Sequence, residues 1–423
     1  MITLGVAAFD SNNSDILFVF LPIILDHIGK NSPNLNAAAT PEILKTYLPL
    51  MGDILDAVSE WELPSVKASR LISLIDEKWE PVRRWMSFIM EKLIEVDTPL
   101  GDKAESIDIG RLYGFCADFL FSFASYTIGI DQFQIIKLIA RGRLPGFLDL
   151  ITRIWLHGAR ANSSMLAKMS LPFRAIATKV VHRIDPTPFA NVMMQNSDSV
   201  SACLDNISES AKNQKFDAVY TSLYVLKLSL DWSHFDMHGN PVQGGPLVEL
   251  RKRFLANRSI VVVTSALEEI AKHPECVNEE NFTDQESAIL IWHCVSYIAD
   301  CLRSDGASFI VPALQNHLLQ STETTWRMVH SFKGSPEMNK ELERDFGELF
   351  EAVTMHLHRA DVLHECRKWH GSASNPSETD NEVSKKWKTL HSTVGRRLKQ
   401  RLEYRTIKCQ TCDNPKVRSI FHV

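Results

Sequence analysis

Cys409-Gln-Thr-Cys412 is the pair whose type and spacing come closest to a metal site. Two thiolates separated by two residues can hold one edge of a zinc tetrahedron. A structural zinc needs four ligands, and downstream of Cys412 the sequence offers only His422. Upstream, Cys366 and His370 stand four residues apart and would share a helix face. A Cys366/His370/Cys409/Cys412 site is therefore one reading. Two exposed thiols on a tail are the other, and the shortage of nearby ligands favours it. The expectation is that the chain holds no stoichiometric zinc and no other cofactor.

A second cluster gathers His356, His358, His364, Cys366 and His370. On a continuous helix, His358, Val362, Cys366 and His370 would form one stripe. Such a stripe sometimes binds a metal, but more often it is the half-exposed face of an amphipathic helix. A third feature is basic. Lys385-Lys386-Trp387-Lys388 and Arg396-Arg397-Leu398-Lys399-Gln400-Arg401 flank an apolar stripe of Trp387, Leu390, Val394, Leu398 and Leu402. That is the pattern of a basic amphipathic helix. It suits a solvated face first, and otherwise a bipartite nuclear-import-like signal or a helix that binds a partner or an anionic surface.

Signatures of common enzymes are missing. There is no Gly-x-Gly-x-x-Gly, phosphate loop, Gly-x-Ser-x-Gly elbow or His-Glu-x-x-His. Glu268-Glu269 and Glu279-Glu280 are isolated acidic pairs that read as solvated faces. The nine tryptophans recur on apolar helix faces, where packing accounts for them.

The elements that must position these residues are helices. Apolar residues recur at i, i+3, i+4 and i+7 nearly everywhere, as in Ile43, Leu44, Tyr47, Leu48, Met51, Ile54, Leu55 and Val58. Thr40 reads as the N-cap of that helix, with Pro41 at its first position. Further helices are expected at Ser65–Glu77, Pro81–Glu95, Ile107–Tyr126, Asp131–Ala140, Gly146–His157 and Met165–His182. After the break Asp185-Pro-Thr-Pro come Ser199–Ala211, Phe216–Asp231, Pro246–Ala256 and Ser259–Lys272. The last third adds Asp284–Cys301, Ser308–Leu319, Thr324–Phe332, an interruptible Pro336–Trp369, and Glu382–Arg405. Ile260-Val-Val-Val could start a strand, but it runs into a helical stripe through Leu267 and Ile270 and is read as helix. The expected core includes Leu48, Leu55, Trp85, Phe119, Leu150, Trp155, Leu226, Ile291, Trp292 and Leu349.

These elements predict an all-α fold without significant sheet. It would be an irregular array of antiparallel helix pairs, either an armadillo/HEAT-like superhelix or a multi-helix bundle. Punctuation at Phe235–Gly245 divides an N-terminal region, 1–234, from a C-terminal one, 246–370. A linker at 371–381 precedes the basic terminal helix at 382–408 and a tail at 409–423.

At 423 residues and with a net charge of −5, no global electrostatic case exists for nucleic acid or an anionic membrane. Six of the eight cysteines sit singly in apolar stretches, as reduced buried thiols do. The apolar run Ile16–Leu25 is interrupted by Pro22 and is too short to span a bilayer, and Met1–Phe9 lacks the basic start of a signal peptide. The expected setting is cytoplasmic or nuclear, with no membrane.

Three segments resemble one group of proteins. Trp79-Glu-Pro-Val-Arg-Arg-Trp-Met-Ser-Phe-Ile89, Leu144-Pro-Gly-Phe-Leu-Asp-Leu-Ile-Thr-Arg-Ile-Trp155 and the stretch from Trp387 to Cys412-Asp-Asn-Pro415 are similar to helices of uncharacterised fungal, chiefly basidiomycete, proteins. In those proteins the final helix typically leads into a MYND-type zinc finger. The resemblance implies that Cys409 and Cys412 stand at the start of such a finger. Val417 occupies the position where its next thiol is expected, so the finger is incomplete here. Together the readings point to a non-enzymatic helical protein that binds another protein. The alternatives are a zinc-binding regulatory protein and an all-α enzyme with an unrecognised site.

Overall fold

The computed structural model describes residues 14–34, 39–59, 65–94, 108–131, 134–161, 164–176, 184–234, 244–273, 284–305, 308–331, 336–373 and 381–412. All regular structure among them is helical, with no strand, as the 3.6-residue periodicity predicts. The chain divides into two compact units. One comprises 1–206 with 220–254, and the other 207–219 with 255–423.

The first unit begins with α1 (Ser14–Lys30), followed by α2 (Thr40–Glu42), a five-residue π turn and α3 (Leu48–Ser59). Ala39 rather than Thr40 is the N-cap, and the Thr40 hydroxyl donates instead to the Asn34 carbonyl at 2.5 Å. Next come α4 (Ser65–Glu77), α5 (Trp79–Ile89), α6 (Ile109–Ile130), α7 (Gln134–Ala140), α8 (Phe147–Ala161), α9 (Ser170–Ile176) and α10 (Thr187–Gln195). The helix expected over Met165–His182 is a 3₁₀ stretch, Ser164–Met169, followed by the short α9.

Helix α6 is apolar apart from Arg111 and Asp118, and a helix so largely apolar belongs in a core. It packs against α3, α4, α7, α8 and α9, burying Phe115, Cys116, Phe119, Leu120 and Phe123. Trp79 joins Phe119, Phe123 and Phe147 in an aromatic cluster, and its indole N–H donates to the Pro145 carbonyl at 2.9 Å. Tyr113 donates to the Ile154 carbonyl at 3.0 Å, and a methyl group at Gly158 would collide with that hydroxyl. Pro22 does not break α1, which runs through it. Phe18, Leu21, Ile24, Leu25 and Ile28 face inward, while Val19 and Ile23 are 58% and 60% exposed.

Helices α11 (Ser199–Lys212), α12 (Phe216–His234) and α13 (Pro246–Ala256) contain the crossings between units. The second unit continues with α14 (Ser259–Lys272), α15 (Asp284–Asp305), α16 (Ile310–Gln315), α17 (Leu318–Ser331), α18 (Pro336–Met355), α19 (Ala360–His370) and α20 (Glu382–Cys412). Helix α14 packs against α15 and α17, α15 against α18, and α20 against both α18 and α19. The β-branched run Ile260–Val263 lies wholly within α14.

Of the expected core, Leu48, Trp85, Phe119, Leu150, Trp155, Leu226, Ile291 and Leu349 are at most 1% exposed. Trp292 is only half-buried, and its N–H donates to the buried carboxylate of Asp345 at 2.8 Å. The side chain of Leu55 lies outside the described residues.

Candidate functional site

Among the described residues, the groups with chemical potential converge where α19 and α20 meet. The stripe Val383, Trp387, Leu390 and Val394 turns one face of α20 inward. On α19, Val362, Glu365, Cys366 and Trp369 do the same. The Trp387 ring stacks on His391, with centroids 4.9 Å apart and planes 10° apart. Trp369 stands edge-on to both rings, 6.2 Å from Trp387 and 5.9 Å from His391. His370 closes the group with its ring 4.0 Å from that of His391. The Trp387 N–H donates to the buried Glu323 carboxylate of α17 at 2.5 Å. Burial first, and then the neighbouring His391, push the His370 pKa below its ordinary value.

Beside this cluster lies a cavity of about 150 Å³ lined by Gln315, His317, Gln320, Glu365, Lys368 and Trp369. Glu365 is 8% exposed and accepts from Lys368 at 2.5 Å and Gln315 at 3.5 Å. The hydrogen bond from Lys368 is the main reason its carboxyl is held below the usual range. A carboxylate so fixed is a counter-ion, poorly matched to proton transfer near neutral pH.

The histidine and cysteine stripe read from the sequence is interrupted. Helix α18 ends at Met355 and α19 starts at Ala360, so His356 and His358 lie in the intervening turn. His358 shares a 2.9 Å hydrogen bond with the Met355 carbonyl instead of continuing a face with Cys366. His364 is exposed, whereas Cys366 is buried and its pKa is pushed up to about 12 by desolvation. Burial likewise raises the thiols of Cys116, Cys203 and Cys294. A thiol in such surroundings supplies little thiolate for nucleophilic attack or metal ligation.

Cys409 and Cys412 fall in the last turns of α20, and their side chains lie outside the described residues. Cys409 is eighteen residues beyond His391, the residue against which His370 packs. At 1.5 Å per residue that is roughly 27 Å along the helix. The Cys409 backbone in α20 therefore stands well away from His370. Among the described residues, no group of three His, Cys, Asp or Glu side chains is placed to hold a metal ion.

Sequence reasoning missed His391, Glu323 and Glu365. The available signal was the helical spacing of Trp387 and His391, which puts an aromatic pair on one face of α20. Nothing in the sequence tied that face to α17 or to the end of α19.

Beyond Val394 the same helix changes character. Every residue from Lys399 to Tyr404 is exposed, with Leu402 and Tyr404 66% and 64% accessible. In the first unit, exposed Val19 and Ile23 lie one turn apart on α1. Val66, 79% exposed, stands on α4, whose Arg70 guanidinium lies 4.7 Å over the Phe18 ring. No helix among the described residues is long and apolar enough to cross a membrane. No protein-family model, curated protein or solved structure matches the chain.

Proposed function

We propose that the chain is a non-enzymatic helical interaction protein whose partner is another polypeptide. The observation that carries this reading is the outer face of α1. A helix normally turns its large apolar residues inward, yet Val19 and Ile23 face out with half-buried Pro22 between them. Arg70 ties α4 to the same region by covering Phe18, and Val66 lies one turn before Arg70. Apolar side chains grouped on neighbouring helices suit an amphipathic partner segment better than they suit water.

The reactive side chains support the same reading. Their altered proton affinities come from core burial or from fixed ion pairs, as at Cys116, Cys366 and Glu365. A catalytic site would place such groups around a substrate cavity with geometry suited to transfer.

The test is quantitative co-purification of the full chain and of a Val19→Asp/Ile23→Asp variant from the native cell. Both positions are exposed, so the melting temperature should hold. The expected result is selective loss of a defined set of polypeptides from the variant. Identical sets from both proteins would overturn the assignment of the face. Turnover of a small molecule, abolished by one cavity substitution that leaves stability intact, would overturn the non-enzymatic reading.

A further inference from the structure

Charge is distributed very unevenly along the chain. Residues 383–412 hold nine lysines and arginines and one glutamate, a formal charge of +8. The whole chain is −5, which leaves −13 on everything else. The even overall balance conceals a strongly basic helix.

Among the described residues, little of that charge is neutralised. Lys386 pairs with Glu351 at 2.5 Å, and Arg401 donates to the Ala360 carbonyl at 3.4 Å. Lys385, Lys388, Arg396, Arg397 and Lys399 have no ion-pair partner among the described residues, and all five are exposed. Six consecutive exposed residues, Lys399 to Tyr404, exceed one helical turn, so solvent reaches this part of α20 around its circumference. At about 100° per residue, Arg396 and Lys399 share one flank of the helix, while Arg397 and Arg401 share the other.

That arrangement discriminates between polyanions. A bilayer or a flat acidic protein surface can neutralise only one side of a helix. Leu398, Leu402 and Tyr404 do not form a single stripe that could enter a membrane. A groove walled by two phosphate strands faces a helix on both flanks. The major groove of B-form DNA is about 12 Å wide and admits one α-helix. From Gly395 to Cys412, α20 extends for roughly 27 Å.

We propose that the C-terminal half of α20 seats in the major groove of duplex DNA, with Arg396, Arg397 and Lys399 neutralising phosphates on either side. The contacts are to the backbone and carry no base sequence. The acidic remainder of the chain is repelled by the duplex, which confines binding to this helix. This inference stands apart from the polypeptide-binding reading, because it uses neither α1 nor α4.

The test uses the full chain and a fluorescent DNA duplex of about 20 base pairs, with anisotropy read from about 50 to 200 mM salt. The expected result is binding whose logarithm falls linearly with the logarithm of salt. The triple variant Arg396→Gln/Arg397→Gln/Lys399→Gln, its fold checked by circular dichroism melting, should lower that slope by roughly 2.7, or 0.9 per lost phosphate contact. No binding at the lowest salt, or an unchanged slope in the variant, overturns the proposal. So does equal affinity for duplex RNA, whose deep, narrow major groove excludes a helix. Equal affinity for polyglutamate or for phosphatidylserine vesicles would show that any polyanion suffices and would also overturn it.

Discussion

Trp155 is sealed from solvent in α8, with its ring edge-on to Phe173 at 6.2 Å. Truncating it to alanine leaves a large void in a close-packed core. Trp155→Ala should therefore cost about 3–5 kcal/mol in chemical denaturation. A loss of only a few tenths would show that the site collapses or was never tightly packed. Spacing on apolar helix faces made the burial of this tryptophan readable. It placed Trp292 deeper than it lies, and the bond from its indole N–H to the Asp345 carboxylate is invisible to hydrophobic patterning. The His370–His391 contact was unreadable for a different reason: the two rings belong to different helices and stand twenty-one positions apart in sequence. That contact gives a pH prediction. His370 has a folded-state pKa below its ordinary value of about 6.5, so below that pH the unfolded chain takes up the proton first. Stability tied to His370 should be lost as pH falls from about 6.5 toward the lower folded value. In a proton NMR titration, His391→Asn should move the His370 pKa part of the way back up. The recovery is partial because burial, the larger cause, remains. No movement, or a further fall, would show that the histidine contact does not influence the proton.

Helices were most legible where punctuation and packing agreed, as in α4, α13 and α14, whose limits coincide with those expected. Helix α10 was missed because Asp185-Pro-Thr-Pro was read only as a break. Its prolines in fact open a helix: Pro186 is the N-cap, Pro188 lies in the first turn, and the Asp185 carboxylate accepts from the Thr187 N–H at 3.0 Å. The reverse error occurred at Ser308–Leu319, which was read as one helix although α16 ends at Gln315 and α17 starts at Leu318. The break is made by His317 at φ 59°, in the left-handed region. Gln214 and Arg258 end helices in the same way, at φ 58° and 62°. Glycine usually fills that position, and without it the stop signal vanishes from the sequence. At Gln214, the Lys215 N–H reaches back to the Ser210 carbonyl at 2.8 Å and closes the helix end. Gln214 is exposed and carries the left-handed penalty of roughly 1–2 kcal/mol, part of which glycine avoids. Gln214→Gly should therefore stabilise the chain by about 1 kcal/mol in urea denaturation. A destabilised variant would mean that the glutamine side chain contributes more than its backbone conformation costs.

For the molecule as a whole, helical periodicity sufficed to establish the all-α class, because nearly every segment repeats it. Net charge and composition were less informative, since averaging over the chain cancels the contrast between residues 383–412 and the rest. Partition into units was harder still. The crossings at 206/207, 219/220 and 254/255 fall inside α11, α12 and α13, where no glycine or proline cluster marks them. Their placement bears on how the protein is made. Translation delivers the chain from its N-terminus at roughly 5–20 residues per second. The first unit lacks residues 220–254 until those have been synthesised, roughly 13–50 s after initiation at that pace. From the synthesis of Phe119, roughly 7–27 s before residue 254 at that pace, Trp79, Trp85 and Phe119 belong to a unit whose last helices do not yet exist. A segment of the second unit, 207–219, is also made before the first can be completed. Each ribosome engaged on this message therefore displays an unfinished apolar core for roughly 7–27 s, a substrate for nascent-chain chaperones rather than for stepwise, domain-by-domain folding.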